Sequence, residues 1–351
     1  MKFHYVKLSL FSAFVGMAYF ITSCDGNGSK VVEQPEAKDT LMSEAQTYFQ
    51  VLPAEEPGAD QQAKILLGRT LFHDVRLSKN NTQSCNTCHN LATYGVDNKP
   101  VSEGDLGKTG ARNSPTVYNA AFHFAQFWDG RAQHVEEQAG MPILNPVEMN
   151  MPSENFVVDR LKSIQGYKTL FAQAFPDAKD PITYENLKTA IGAFERTLST
   201  PGKFHQYLAG DANALNAEEK AGLKKFIEVG CITCHISATV GGNMFQKFPL
   251  IGQEYKSFTG SKTEDLGKMD VSKKESDKFI FKVPSLLNIG KTAPYFHDGS
   301  VADLGQAIQI MGKLQLNKDL NDGDVSEIKA FLHALTADVP KDALIIPEMP
   351  K

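Results

Sequence analysis

Four of the five cysteines fall into two copies of one pattern, Cys85-Asn-Thr-Cys88-His89 and Cys231-Ile-Thr-Cys234-His235. Two thiols at this spacing can each form a thioether with a porphyrin vinyl group. The adjoining histidine can then bind the iron on its near side, which is the attachment chemistry of c-type haem. A zinc ribbon also uses Cys-x-x-Cys pairs, but it needs no histidine directly after each pair. The sequence therefore predicts two covalently attached haem c groups, with His89 and His235 as iron ligands. Five cysteines in 351 residues are too few for a disulfide framework, and an odd number cannot all pair.

What each iron can do depends on its far side. A haem that only carries electrons has both axial positions filled, whereas peroxide or oxygen chemistry needs one that is open or can open. An internal repeat shows which residues stand there. The segment from Asn113 to Gln138 slides onto that from Lys282 to Ala307 at an offset of 169 without a gap, pairing Pro115 with Pro284, Asn119 with Asn288, Phe127 with Phe296, and Asp129-Gly130 with Asp298-Gly299. The haem motifs are 146 apart, so the second half carries 23 extra residues between motif and repeat. Met311, in the apolar helical stretch Leu304 to Gly312, is placed to reach back to the second iron; core filling is the alternative role for a lone helical methionine. Carried back by 169, it falls on Pro142, which has no side-chain donor. Near Pro142 lie Gln138 and Glu148. A carboxylate beside iron can take a proton from one peroxide oxygen and return it to the other. A solvated helix face and a loop acid are the plain alternatives for these two.

Helices must position these groups. Leu187, Ala190, Ile191, Phe194 and Leu198 form one face of a helix from Tyr184 to Leu198. Ala217 to Val229 follows Asn216, a suitable N-cap, and Val325 to Leu335 repeats the apolar pattern. No strand pattern of comparable length occurs. The expected fold is mainly α: two cytochrome c-like helical domains, each around one covalent haem, with long loops. The expected boundaries are 46–205 for a first haem domain and 206–351 for a second.

The N-terminus reads as an export signal. Lys7 precedes fifteen uncharged residues, Leu8 to Thr22, short for a spanning helix and right for a signal's apolar region. Ile21-Thr22-Ser23-Cys24 looks like a lipobox, which makes 1–23 a lipoprotein signal peptide and Cys24 a lipidated N-terminus on a periplasmic protein held to the membrane by its anchor only. An ordinary signal peptide with a chance cysteine is the alternative. Residues 24–45 read as a flexible tether. Removal of 1–23 takes away two lysines and no acid, leaving 34 cations against 41 acids and a charge of −7. With no dense basic run, nucleic acid is not an expected partner.

Together these stretches resemble the bacterial di-haem cytochrome c peroxidases over almost the whole mature chain. The matching runs are LFHDVRLSKNNTQSCNTCH (71–89), ARNSPTVYN through FAQFWDGRAQHVEEQ (111–138), TAPYFHDG (292–299) and IQIMG (308–312). The resemblance implies an enzyme that reduces hydrogen peroxide to water with electrons from a small cytochrome c or cupredoxin. It implies a peroxidatic N-terminal haem on His89, an electron-transfer haem on His235 and Met311, Gln138 and Glu148 as distal residues, and Trp128 on the electron route between the haems. It also implies a calcium ion at the domain interface, at positions matching Asn113, Thr292 and Pro294, the last two through backbone carbonyls. The donor, the potentials and a homodimer are left open.

One departure stands out. Many members carry a removable distal histidine sixteen residues after the peroxidatic motif's histidine, and this chain has Asp105 there, in Ser102-Glu103-Gly104-Asp105. Aspartate substitutes poorly for imidazole on haem iron. The first haem is therefore expected to stay open when oxidised, and Asp105→Ala is expected to change little; His73, His123 and Met141 are the substitutes to consider. Two other functions compete with the peroxidase: a di-haem electron carrier, which Pro142 argues against, and a protein-modifying di-haem oxidase, whose known examples carry tyrosine in place of the methionine found here as Met311.

Overall fold

Several helices begin where a polar side chain caps them. The computed structural model describes residues 39–53, 58, 61–252 and 254–351; the expected signal peptide, Cys24 and most of the tether lie outside them. Among the described residues the first half contains α1 (Thr40–Ala45), α2 (Gln62–His73), α3 (Cys85–Cys88), α4 (Val135–Leu144), α5 (Glu154–Lys162), α6 (Gln165–Ala174) and α7 (Tyr184–Glu195). There follow α8 (Lys203–Leu208), α9 (Ala217–Val229), α10 (Lys256–Thr259), α11 (Met269–Ser272), α12 (Leu304–Leu316) and α13 (Asp322–Ala334). Asn216 caps α9 as expected, in a capping box with Glu219, and Asn321 does the same for α13 with Asp324. α7 stops at Glu195, three residues short of expectation, because Thr197 and Leu198 turn back on i−3 carbonyls and Leu198's carbonyl accepts from the Asn119 N–H.

Each half is framed by two helices that cross at a glycine. A Cβ at Gly68 of α2 would lie 1.8 Å from the Ala190 carbonyl oxygen of α7, and one at Gly222 of α9 would lie 2.1 Å from the Glu327 carbonyl oxygen of α13. Two apolar cores grow on these pairs. The first includes Leu67, Leu71, Phe171, Leu187 and Phe194, and the second Leu223, Phe226, Leu314, Ile328 and Phe331.

The chain ends cross over between these cores. Ala45, Phe49 and Leu52 belong to the second core, where Phe49 meets the Phe204 ring edge-on at 5.2 Å. Thr40–Ala45, expected as tether, is thus a packed helix, and the first domain expected at 46–205 yields residues 46–52 to the other lobe. Conversely the tail of 206–351 lies on the first lobe: Ala343 is in its core, and Arg76 and Gly166 donate to the Pro350 and Lys351 carbonyls.

The repeat is visible in the backbone. Asn119 and Asn288 both have φ 62°, Phe127 and Phe296 have φ 64° and 71°, and matching antiparallel bridges follow at Gln126–Ala132 and Tyr295–Val301. The two copies face each other. Asn113 N–H donates to the His297 carbonyl at 2.8 Å, and its repeat partner Lys282 donates to the carbonyl of Trp128, the repeat partner of His297, at 2.7 Å. The buried Asn119 and Asn288 amides both donate to the Thr200 hydroxyl, at 2.7 and 2.9 Å. Part of the extra segment in the second half forms the antiparallel pair β1 (Phe245–Lys247) and β2 (Ile280–Lys282) and is latched to the first repeat through Arg112, which binds Asp265 at 2.6 Å and also Asp129.

Thr200→Val would strip two buried amides of their acceptor, and a buried unsatisfied group costs about 1–3 kcal/mol. Thr200→Val is expected to lose at least about 2 kcal/mol, whereas Thr200→Ser, which keeps the hydroxyl, should lose about 1 kcal/mol. Denaturant midpoints of the three proteins check this; equal losses for Val and Ser would contradict it.

Candidate functional site

The first candidate cavity opens above α3. Ser84 and Thr87 cap this short helix, which sets Cys85 and Cys88 on the cavity wall with His89 directly after them. The His89 Nδ1 is 3.0 Å from the Pro115 carbonyl. Burial holds its pKa below the usual value, so the ring is neutral, with Nδ1–H on the carbonyl and Nε2 left as a ligand. Pro142 and Gln138, both on α4, line the same cavity together with Glu148. Glu148 Oε1 accepts from Asn145 Nδ2 at 2.8 Å. Burial raises its pKa above the ordinary carboxylate range, with Arg131 and the Asn145 bond pulling the other way.

The second cavity repeats the near side and changes the far side. Cys231, Cys234 and His235 line it. His235 Nδ1 is 3.3 Å from the Val240 carbonyl and is also met by the Pro284 carbonyl, the repeat partner of Pro115. Burial lowers this histidine to about 4. Met311, on α12, lines the cavity with it, amid apolar walls that include Phe226, Phe248, Ile308 and Leu332. In both cavities the residues fit a c-type haem: a free thiol pair, a histidine with one nitrogen committed to backbone, and a largely apolar surround.

Trp128 lines both cavities. Its Nε1 donates to the Asn113 carbonyl at 2.9 Å, and its ring meets its repeat partner His297 edge-on at 6.4 Å. Asn113, Thr292 and Pro294, the three expected calcium positions, all line the second cavity. The oxygens expected of them, the Asn113 amide and the Thr292 and Pro294 backbone carbonyls, are the hard type that calcium takes.

The structure corrects the reading of Asp105. It is buried, and its carboxylate accepts from Asn80 N–H at 3.1 Å and from the Thr82 hydroxyl at 2.7 Å, while its own N–H donates to the Glu148 carbonyl at 2.7 Å. The residue is a clamp that ties the Glu148 loop to the strand of chain entering the first haem motif, and it does not line the cavity. Of the considered substitutes, His73 lines neither cavity and bonds the Arg69 carbonyl, and Met141 is exposed. His123 lines both but is held by Lys282. Sequence reasoning missed Lys282 and also Glu195, a buried acid on the first cavity pushed up to about 8 by burial and by repulsion from Glu136. Glu195 stands four residues after Ile191 on the apolar face of α7, and that placement was its one readable signal.

The profile of the di-haem cytochrome c peroxidase family matches residues 62–213. The cytochrome c551 peroxidase of Pseudomonas aeruginosa is 44% identical over 310 residues, 86% of this chain and 88% of that one. A cytochrome c551 peroxidase of Nitrosomonas europaea is 45% identical, covering 78% and 80%. The methylamine utilization protein MauG of Methylorubrum extorquens is 31% identical over 95% of both chains. Among solved structures, a MauG-like protein associated with microbial copper homeostasis superposes with a TM-score of 0.73 at 28% identity, covering 85% of this chain and 96% of that one.

Hydrogen bonds to a charged group contribute about 1.5–3 kcal/mol. Asp105→Ala, first expected to be silent, should therefore cost stability in that range and loosen the Glu148 loop, and hydrogen exchange at the Glu148 and Asn80 amides should rise with it. Wild-type stability and protection in Asp105→Ala would return the residue to a passive role.

Proposed function

The chain belongs to the di-haem cytochrome c peroxidase family, and from that we propose a division of labour between its two cavities. The protein is an oxidoreductase acting on peroxide and carries two haem c groups. The first cavity is the site of hydrogen peroxide reduction, and the second receives electrons one at a time from a small cytochrome c or cupredoxin. The observation that carries this reading is the contrast on the far sides: Met311 lines the second cavity with His235, whereas the first has Pro142 at the repeat-related position, with Gln138 and Glu148 beside it.

Bound haem supplies a redox-active iron in each cavity. The residues supply the rest. In the first cavity Gln138 orients peroxide by hydrogen bonds. Glu148, as carboxylate, takes the proton from one peroxide oxygen and delivers it to the other, so that the departing oxygen leaves as water. Two electrons and two protons complete the conversion of one peroxide to two waters. Trp128 is the contact through which electrons pass from the second cavity to the first. Met311 and His235 would hold the second haem, and a thioether ligand would favour its reduced state. Methionine rather than tyrosine at position 311 supports a peroxidase over a protein-modifying oxidase. Asp105, tied to Asn80 and Thr82, does not line the first cavity, which supports a site that would be open in the oxidised protein. Asn113, Thr292 and Pro294 hold calcium between the lobes.

A double dissociation tests the assignment. Glu148→Gln should cut peroxide turnover by about 10²- to 10⁴-fold, the usual contribution of a positioned proton-transfer group, with both haem spectra near wild type. Because the base must be ionised and burial raises its pKa, wild-type turnover should fall off with acid at a pH above the ordinary carboxylate range, and Glu148→Gln should lack that limb. Met311→Leu should do the reverse, slowing electron entry from donor while the oxidised first site still reacts with peroxide without prior reduction. Loss of the peroxide reaction in Met311→Leu with retention in Glu148→Gln would exchange the two roles.

The lipobox ending in Cys24 supports a periplasmic, lipid-tethered protein. Cys24→Ser should move the protein from membrane to soluble fraction, and its persistence with the membranes would refute the anchor.

A further inference from the structure

Lys282 is a buried cation with no anion. It ends β2 at 6% exposure, and among the described residues no carboxylate lies within ion-pair distance of its ammonium. Among the described residues its one side-chain hydrogen-bond partner is His123, whose Nδ1 lies 3.2 Å from Nζ. An ammonium can only donate, so Nδ1 is the acceptor and the imidazole proton sits on Nε2. That Nε2–H is also buried, and it has no partner. Gly242 packs against the ring so closely that a Cβ there would lie 2.3 Å from His123 Cδ2.

Two donors thus stand together, the His123 Nε2–H with no acceptor and the Lys282 ammonium with none but the His123 Nδ1. Burial lowers the Lys282 pKa to about 8, which still leaves the amine charged at neutral pH. A buried charge is costly unless an opposite charge offsets its desolvation. The other cations of this region are matched: Arg112 binds Asp129 and Asp265, and Arg131 binds Asp129 at 2.8 Å. Lys282 and His123 both line both cavities. The anionic groups that enter those cavities are the propionate carboxylates of the haems.

We infer that Lys282 and His123 form a carboxylate site at the seam between the cavities, which takes a haem propionate through the Lys282 ammonium and the His123 Nε2–H. The inference rests on the proposed occupation of both cavities by haem. A cation held at the porphyrin edge favours the ferrous state, so the site also raises the potential of the haem whose propionate it binds.

Spectroelectrochemical titration of the holoprotein tests this, with haem counted per chain on the same samples. Lys282→Met should lower the midpoint of one haem and leave the other in place. The expected change is on the order of tenfold in the reduction equilibrium, about 59 mV for one electron. Lys282→Arg should keep the wild-type value, and His123→Phe should shift the same haem in the same direction by less. The haem that moves identifies the cavity that sends the propionate. If Lys282→Met does not assemble, Lys282→Gln removes the charge and carries the same reading. Two haems per chain with both midpoints unchanged would overturn the site, as would shifts of different haems in the Lys282 and His123 variants. Fewer than two haems in the wild type would instead strike at the occupation of the cavities.

Discussion

Two reciprocal backbone hydrogen bonds, from Asn113 to the His297 carbonyl and from Lys282 to the Trp128 carbonyl, hold the functional centre in register. Each joins the start of one repeat copy to the middle of the other, so the copies are related across the seam as if by a two-fold axis. The consequence is placement. Trp128 and His297 meet at the centre, and Pro115 and Pro284 each present a carbonyl to the histidine of the haem motif in their own half. The shared Thr200 hydroxyl, with both asparagine amides on it, closes the same seam from the side of the helices. A slip of one copy along the other would break all of these contacts together.

Within this symmetric frame the chemistry depends on asymmetry. The near sides of the two cavities use one design, a thiol pair and a neutral histidine fixed by backbone. The far sides diverge through one helix in each half: α12 places Met311, and α4 places Pro142 and Gln138. Proline within the last turn of α4 also leaves its carbonyl to accept from Asn145 and Met149, which folds the chain back and brings Glu148 over the cavity. The positions of Pro142 and Glu148 therefore have a common structural origin in the end of α4. The Asp105 clamp then fixes that loop from the other side.

The seam also buries charged groups. Asp129, Asp265 and Lys282 are each less than a tenth exposed. Both aspartates pair with Arg112, and Asp129 with Arg131 as well, and the Arg112 pairing latches the extra segment of the second half to the first repeat. Lys282 differs because its counter-charge comes from outside the polypeptide, and this makes the seam complete only when the cavities are filled.

Much of this was legible in the sequence. Covalent haem attachment depends on spacing within five residues, and the helices depend on periodicity and caps within a dozen, so local chemistry was enough for both motifs, for Asn216 and for the faces of α7, α9 and α13. The ungapped repeat carried further, because duplicated segments keep their backbone conformation, and comparison of Met311 with Pro142 distinguished the cavities. The task of Asp105, the exchange of the chain ends between cores, the pairing of Lys282 with His123 and the burial of Glu195 were not legible. Each depends on a partner far along the chain: 25 residues at Asn80, 159 between Lys282 and His123. A carboxylate or an amine in a sequence has the same local signature whether it faces water or a buried donor. Only packing in three dimensions, which decides what is withdrawn from solvent and what then stands within hydrogen-bond reach, gave these residues their roles.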